Sequence, residues 1–264
     1  MLTEVKRNLR FMCVCVKYNL AREMENRAAF IAQMSGMIAN DAIVFVQWVI
    51  LFSLTDTICG YGFTDMVLMW GLAASAFGFA HILFANVILL PSYITEGKLD
   101  AYLIQPKNAL LNVACGRMSV PAAGDLIYGI VLAVIACRSI VSFLMFLFFT
   151  VTGGLILASF YTLSGCIAFR LKNSEDFSGA LNNLMLNFGT YPEGLFDGTA
   201  KWLLFTLIPV GFSAYIPMRF FMGFEWKWVL AVAGFTVLIT AAAFFVFHKG
   251  LKRYGSGNIM AARL

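Results

Sequence analysis

The chain has 264 residues, of which 61% are hydrophobic and only 12% are charged, and its formal net charge is +5. Soluble proteins contain about 25% charged residues, so this composition excludes an ordinary soluble enzyme or nucleic-acid-binding domain and indicates an integral membrane protein. Because a membrane-spanning helix needs about 20 residues, the chain has room for about six spans and short loops, which we treat as a single membrane domain, 1–264.

The first segment, residues 1–28, has the pattern of an amphipathic helix. Its apolar residues recur every three or four positions and so share one helical face; they are Leu2, Val5, Leu9, Met12, Val16, Leu20 and Met24. The basic residues Lys6, Arg10 and Lys17 fall largely on other faces. The pattern predicts an interfacial helix that lies in the headgroup region, with its apolar face toward the bilayer and its basic face toward anionic lipid.

Apolar segments follow that are long enough to cross a bilayer; they lie at about 30–54, 66–90, 119–137, 140–169 and 228–247. Two further segments are ambiguous. The segment 176–192 is moderately apolar and contains three asparagines, whereas 202–222 is strongly apolar but contains Pro209 and Pro217. Hydropathy favours 202–222 as a full span. The prolines favour a re-entrant element there, because each removes a backbone donor and bends the helix.

The lysines and arginines are distributed unevenly between the two sides of this arrangement. With the N-terminus in the cytoplasm, 15 of the 19 fall on the cytoplasmic side, and the other four are Arg138, Lys201, Arg219 and Lys227. Cytoplasmic loops are enriched in positive charge, so we predict that both termini are cytoplasmic. This orientation requires an even number of spans, and one of the seven candidate segments therefore does not cross.

A short charged segment, residues 92–108, separates the second and third spans. Ser92 can cap a short helix at about 93–104, and Pro106 can end it. One face of this helix is apolar and consists of Leu99, Tyr102 and Leu103. Because an isolated helix of about three turns is marginal in water, we expect it to pack on a partner surface. A solvated connecting loop is the alternative.

Three stretches resemble the permeases of ABC-2 type transporters, most closely the six-span branch found in bacterial exporters of small molecules. They are E-G-K-L-D-A-Y-L-I-Q-P-K-N at 96–108, Y-P-E-G-L-F at 191–196 with the I-P and Y-I-P-M near 208–218, and G-L-K-R-Y-G-S-G-N at 250–258. The resemblance covers nearly the whole chain. It implies an all-α integral membrane protein with six transmembrane helices of ABC-2 (type V exporter-like) architecture, which dimerises. It also implies that 176–192 is a short fifth span and 202–222 the re-entrant element.

The resemblance further implies a permease subunit of the prokaryotic plasma (inner) membrane that exports a small or amphipathic molecule. No G-x-x-x-x-G-K-[ST] motif for phosphate binding occurs in the chain. We therefore expect no enzyme activity and no cofactor on this chain, with ATP and Mg²⁺ bound by a separate ATPase subunit. Other expected partners are a second permease copy or a related permease, and membrane lipid, but not nucleic acid. The residues expected to couple to the ATPase are Glu96, Gly97, Leu99, Asp100, Tyr102, Leu103 and Pro106.

Two polar residues, Asp41 and Gln47, lie inside the first predicted span. A carboxylate at such a depth costs roughly 2.5–3.5 kcal/mol to insert, so it normally faces a bundle interior, a partner or a wet cavity. One hypothesis is that Asp41 and Gln47 line a substrate path for cationic or amphipathic compounds. The other is that Asp41 forms a hydrogen bond between helices or across a dimer.

An ion-coupled secondary transporter is the alternative function class. Such a protein needs ion sites at broken helices and often has an inverted repeat; two prolines interrupt one segment here, but no repeat is evident. A membrane enzyme would need a motif such as H-E-x-x-H or G-x-S-x-G, and neither occurs. With only His81 and His248 and scattered cysteines, we expect no metal site.

Overall fold

The computed structural model describes residues 2–171 and 174–255, and in these ranges the regular elements are helices, with no strand. The helices are α1 Leu2–Glu23, α2 Arg27–Leu54, α3 Phe63–Phe84, α4 Leu90–Thr95, α5 Asp100–Leu103, α6 Ala109–Ala114, α7 Pro121–Ala136, α8 Ile140–Gly165, α9 Glu175–Phe188, α10 Gly198–Thr206, α11 Ile216–Gly223 and α12 Trp226–Leu251. The side chains of Leu2, Val5 and Leu9, the residue Lys172 and the stretch 256–264 lie outside the described part.

Four stretches in the described residues are long and apolar enough to cross a membrane: Lys6–Leu54, Phe63–Thr95, Ile140–Phe169 and Trp226–Leu251. A bent pair of helices, Gly198–Thr206 and Gly211–Gly223, makes a fifth if it counts as one span. At 1.5 Å per residue, α7 is about 24 Å long and α9 about 21 Å, less than the roughly 30 Å of hydrocarbon. The multi-pass, all-α class is therefore confirmed, and the number six stays a prediction.

The segment predicted at 202–222 is broken at Pro209, where α10 and the following helical stretch Gly211–Gly223 meet at 82°. This bend fits either a broken span or a re-entrant loop. Pro217, in contrast, lies in the first turn of α11, where a missing N–H is tolerated. Helix α11 directly follows a wide π-type turn, Gly211–Tyr215, and the chain stays helical from Gly211 to Gly223. The expectation that both prolines interrupt the segment is therefore wrong for Pro217.

The centre of the fold is the packing of α3 against α7 and α8. Glycines allow the first two helices to approach backbone to backbone: a Cβ atom on Gly78 would lie 2.5 Å from the backbone nitrogen of Leu126, and one on Gly129 would lie 2.4 Å from the Gly71 carbonyl oxygen. Small residues are typical of such close crossings between membrane helices. The main hydrophobic core therefore has α3 at its middle.

Helix α1 packs on the protein through Met12 of its predicted apolar face and through neighbouring residues that the prediction did not include. Phe11, Met12 and Cys15 contact the main core, and Asn19 Nδ2 donates a hydrogen bond to the Cys115 carbonyl oxygen at 3.0 Å. The helix thus lies beside the chain that follows α6. Its position in the lipid headgroup region stays a prediction.

An ion cluster ties the bent pair to the loop that precedes it. Glu193 in that loop is buried, with 7% of its surface exposed. Arg219 Nε in α11 donates to Glu193 Oε2 at 3.1 Å, and Lys201 Nζ in α10 lies 2.8 Å from Glu193 Oε1. One carboxylate therefore holds both legs of the bend, which fixes their relative orientation.

We expect this cluster to make the protein acid-sensitive. Burial alone would raise the pKa of Glu193, but hydrogen bonds and positive charge from Arg219 and Lys201 outweigh it and hold the pKa below its ordinary value of 4.5. A carboxyl group with a lowered folded-state pKa contributes stability that is present above the unfolded pKa and is lost as pH falls through the folded pKa. The unfolding temperature in detergent should therefore decrease as the pH is lowered past about 4.5.

The matched variants are Glu193→Gln and Asp197→Asn, the latter at an exposed carboxylate in the same loop. At pH 7, Glu193→Gln should lower the free energy of unfolding by about 1–3 kcal/mol, because two partly exposed cations lose their partner. It should also flatten the acid limb of a stability profile from pH 3 to pH 7, and Asp197→Asn should not. An equally steep acid limb in Glu193→Gln would contradict the assignment.

Candidate functional site

The charged interruption of the sequence becomes a compact connection between α3 and α7, which we call the connecting segment, residues 90–117. The structure differs here from the single helix expected over 93–104. Helix α4 ends at Thr95, and Gly97 has a φ of +73°, a left-handed conformation that favours glycine. The Leu99 N–H bonds across the break to the Tyr93 carbonyl oxygen at 3.1 Å. Gly97 is therefore needed for a chain reversal between two short helices.

Ser92 also has a different role from the cap expected of it. It lies within the first turn of α4, which begins with Leu90 and Pro91. Its hydroxyl donates to the Leu89 carbonyl oxygen at 2.9 Å and so caps no N–H group. Proline supplies the helix start instead, because its fixed φ suits the first helical turn and its missing N–H would be unpaired there in any case.

One face of the connecting segment forms a separate hydrophobic core, which we call the inner cluster. Its buried members are Leu90, Ile94, Leu99, Leu110, Val113, Cys166, Ala168 and Phe247. Residues 166 and 168 follow α8, and Phe247 belongs to the last part of α12. The connecting segment is thus anchored on the ends of α8 and α12 as well as on the two helices that it joins.

The inner cluster changes the role expected for Leu99. This side chain is 0% exposed and packs within the chain, so it is not offered to a partner protein in this structure. The physical reason is that the ends of α8 and α12 cover the apolar face that the sequence pattern leaves without a partner. Leu99 is therefore an anchoring residue of the segment.

A buried asparagine, Asn86, ties the connecting segment to the end of α3. Its Nδ2 donates to the Val113 carbonyl oxygen at 2.6 Å and to the Tyr102 hydroxyl at 3.2 Å, and its Oδ1 accepts from the Tyr93 hydroxyl at 2.9 Å. Asn86 is 1% exposed, so these bonds replace its hydration completely. A Cβ atom on Gly116 would lie 2.9 Å from Asn86 Nδ2. The network therefore locks parts of the segment that lie far apart in sequence.

Two contacts extend the anchoring to other helices. The Thr95 hydroxyl donates to Glu175 Oε1 at the start of α9 at 3.1 Å. Burial and the neighbouring Asp100 carboxylate raise the pKa of Tyr254 to about 12, which places Asp100 beside the chain that follows α12. Asp100 and Tyr102 thus face the protein rather than forming the outermost surface.

The opposite face of the segment is exposed, and we call it the outer tip. It consists of Glu96, Lys98, Ala101, Leu103, Ile104, Gln105, Pro106 and Lys107. Ile104 is 84% exposed and Leu103 38% exposed, while Glu96 and Lys98 form an ion pair on the surface. Of the residues expected to couple to a partner, Glu96, Leu103 and Pro106 lie here. Ile104, the more exposed of the two apolar side chains, was not among the expected residues.

The two polar residues of the first span are not brought together. Asp41 is buried, whereas Gln47 is exposed and, at 3.6 residues per turn, points about 120° away from it. Asp41 instead faces Asp125 of α7, which is 2% exposed, with the two carboxyl groups in hydrogen-bonding contact. Two ionised carboxylates in contact would repel each other, and one oxygen of each group, Asp41 Oδ2 and Asp125 Oδ2, is buried without a hydrogen bond in the described residues. The geometry favours the interhelical hypothesis for Asp41.

The described residues contain no group of three or more His, Cys, Asp or Glu side chains that could hold a metal ion. The remaining features are several membrane-spanning helices, a connecting segment anchored on several helix ends, and an exposed apolar tip. Together they define a multi-pass membrane protein with an exposed connection between two of its helices.

The comparison with protein families agrees with this class. Residues 38–257 match the ABC-2 family transporter proteins, so the chain belongs to the ABC-2 family, as its short motifs indicated. Comparisons with curated proteins and with solved structures returned no significant match.

Proposed function

We propose that the chain is the permease subunit of an ATP-binding cassette transporter that exports a small or amphipathic molecule across a prokaryotic plasma membrane. In this proposal both termini are cytoplasmic, and the permease works as a dimer with a second copy or with a related permease. The chain itself catalyses no reaction, and a separate ATPase subunit binds ATP and Mg²⁺. The observation that carries the proposal is the connecting segment, which has an exposed tip on one face and several anchored helix ends on the other.

The outer tip is the part that docks on the ATPase. Leu103 and Ile104 enter an apolar groove; burying a fully exposed side chain of this kind contributes about 1.5–3 kcal/mol, and the contribution is larger for Ile104, at 84% exposed, than for Leu103, at 38%. The charges of Glu96, Lys98 and Lys107 lie around them, where rim charges set orientation and association rate rather than affinity. Movement of the ATPase is then passed through the inner cluster to the ends of α8 and α12, through Thr95 to α9, and through the Asn86 network to α3.

Helix α9 supplies the best surface for a substrate path. Its exposed residues include Asp176, Asn183 and Asn187, which lie at helical spacing on one stripe. On the other side of the helix, Ser164 of α8 donates to Asn182 Oδ1 at 2.9 Å. If α9 is the short fifth span, polar side chains at that depth face a partner or a wet cavity, and in this proposal the stripe lies between two permease copies.

The decisive experiment changes the outer tip. We expect Leu103→Asp combined with Ile104→Asp to abolish co-purification of the ATPase, because both aspartates would lose their hydration on docking. The permease should still insert and elute as a monodisperse species, since both side chains are exposed. The measurement is the ratio of ATPase to permease after affinity purification of the co-expressed subunits.

The matched control is Leu171→Asp, a change of the same type at a residue that is 58% exposed on the side predicted to be cytoplasmic. It should leave the ratio unchanged. An unchanged ratio in the tip variant would contradict the docking proposal. Transport that persists without the ATPase and stops when ion gradients are dissipated would instead support an ion-coupled secondary transporter.

A further inference from the structure

A cavity of about 190 Å³ lies between α1, α6, α8 and α12, beside the end of α3. Its walls are almost entirely carbon; the lining includes Met12, Phe84, Leu111, Leu155, Ala243 and Phe244. It is separate from the outer tip and from the Asp41–Asp125 pair. A space of this kind favours an apolar ligand over an ordered water, because a water needs polar partners.

The hydroxyl groups in the cavity wall are already used by the protein. Ser159 Oγ and Thr240 Oγ1 bond to each other at 3.1 Å, and Thr162 donates to the Ala158 carbonyl oxygen at 2.8 Å. A polar ligand would therefore have to break existing hydrogen bonds to gain new ones. The part of a ligand that fits here is hydrocarbon.

The cavity continues into a groove between α8 and α12. The groove and the cavity share Leu155, Thr240 and Phe244, and Val237 forms the outer part of the groove. Val237 is 70% exposed on the face of α12, the helix with the clearest membrane-spanning composition. The opening is therefore directed at the lipid chains beside this helix, and not at an aqueous compartment.

A positive charge lies near the other boundary of the cavity. Lys107 Nζ lies 5.4 Å from the centre of the Phe11 ring, and Phe11 is the direct neighbour of the lining residue Met12. Lys107 and Arg10 are both exposed, so their charges are available to a ligand. Anionic lipid headgroups are attracted to such basic residues at a membrane surface.

We propose that this cavity binds one acyl chain of an anionic phospholipid from the leaflet on the side of α1. The end of the acyl chain lies toward the groove between α8 and α12, and the phosphate lies near Lys107 and Arg10 at the opposite boundary of the cavity. The hydrocarbon contacts Leu110, Leu111 and Ala114 of α6, the last helix of the connecting segment. Lipid binding at this position thus bears directly on the segment that faces the partner protein.

The test uses the full chain in vesicles, without an ATPase, so that its outcome is independent of the proposed transport function. One vesicle preparation contains phosphatidylglycerol with a photoactivatable group on its acyl chain, and the other contains phosphatidylcholine with the same chain. After illumination, labelled peptides are mapped by mass spectrometry. We expect labelling at 155–162 and 240–244, about fivefold higher with the anionic lipid.

Two variants on α12 distinguish the cavity from the general lipid surface. Ala243→Phe fills the cavity from a residue that is 2% exposed, and Leu238→Phe adds the same ring to a residue that is 63% exposed. The first should reduce labelling at both sites about tenfold, as expected for the loss of a few methylene contacts, and the second should not. If Ala243→Phe is not monodisperse, Ala158→Val on α8 fills the cavity with a smaller change.

The result that overturns the site is equal labelling in the wild type and in the cavity-filling variant, which would mean bulk lipid contact only. Equal labelling by the two lipids would overturn the assignment of an anionic headgroup. Lys107→Gln provides the complementary measurement, because it should remove most of the preference for phosphatidylglycerol while leaving the labelled positions unchanged.

Discussion

Under the proposed function, replacing Asn86 with leucine is expected to uncouple ATP hydrolysis from transport while leaving the ATPase bound. Leucine has a similar volume but makes none of the hydrogen bonds to Val113, Tyr102 and Tyr93. The outer tip lies on the opposite face of the connecting segment and keeps its exposed side chains. The ATPase should therefore still co-purify and hydrolyse ATP, but its movement would no longer be passed rigidly to α3.

The expected size of the effect follows from the groups left without partners. The buried Val113 carbonyl would lose its bond from Asn86, and an unsatisfied buried group costs about 1–3 kcal/mol. For a chain of this size, each 1 kcal/mol corresponds to roughly 2–4 °C in unfolding temperature. We expect a drop of several degrees and a fall in transport of at least about tenfold, which equals 1.4 kcal/mol in effective coupling.

Tyr93→Phe and Tyr102→Phe are the graded controls for this prediction. Each removes one hydroxyl from the network and retains the ring contact, whose centroids are 5.5 Å apart. Each should have a smaller effect on both stability and transport than Asn86→Leu. Transport and ATP hydrolysis that stay coupled in Asn86→Leu, despite the lowered stability, would show that the network is a folding device alone.

The connecting segment shows how far sequence reasoning reaches. Its place between two spans, its charge and its short apolar face were all evident in the sequence. What covers that face was not, because the covering residues Cys166, Ala168 and Phe247 lie far along the chain and meet only when α8 and α12 pack. The same pattern therefore fitted a face buried in the protein and a face offered to a partner. In the structure, Leu99 is buried within the protein.

The helix boundaries were predictable where a strong local signal existed. Pro209 marks the sharp bend, whereas the break at Gly97 was not predicted, because the helix expected over 93–104 runs through it. Pro217 gives the same signal in the sequence, but it falls in a first helical turn, where proline is compatible with the helix. Proline and glycine in the sequence indicate the residues at which a helix can end. The conformation of the surrounding turns determines whether the helix ends there.

Only one member of the buried carboxyl pair, Asp41, could be singled out from the sequence. The cost of placing a carboxylate in a membrane drew attention to Asp41, but its partner Asp125 is on another helix, close to the start of α7. Pairing depends on the approach of α2 to α7, which a glycine permits: a Cβ atom on Gly124 would lie 2.8 Å from the Met34 carbonyl oxygen. Such an approach has no signature in the period of either helix.

The pair predicts an unusual pattern of stability in variants at Asp41 and Asp125. Asp41→Asn should be close to neutral, because an amide still offers a donor and an acceptor to the remaining carboxyl group. Asp41→Leu should lower the free energy of unfolding by about 1–3 kcal/mol, since Asp125 is left buried without its partner. The double change to leucine should recover most of this loss, because replacing both buried polar partners by apolar groups can be nearly neutral.

Transport measured on the same variants separates this interhelical role from a substrate-binding role. If Asp41 only joins α2 to α7, Asp41→Asn should transport at close to the wild-type rate, and the rate in the other variants should follow their unfolding temperatures. A cationic substrate bound by Asp41 would give the opposite result, because Asp41→Asn would lose transport at unchanged stability. We expect the first outcome, since the carboxyl group faces Asp125 while Gln47, the other polar residue of this span, points away from the pair. A negative coupling energy close in size to the summed costs of the two single leucine changes, measured in a double-mutant cycle, would identify the carboxyl pair as a contact between helices.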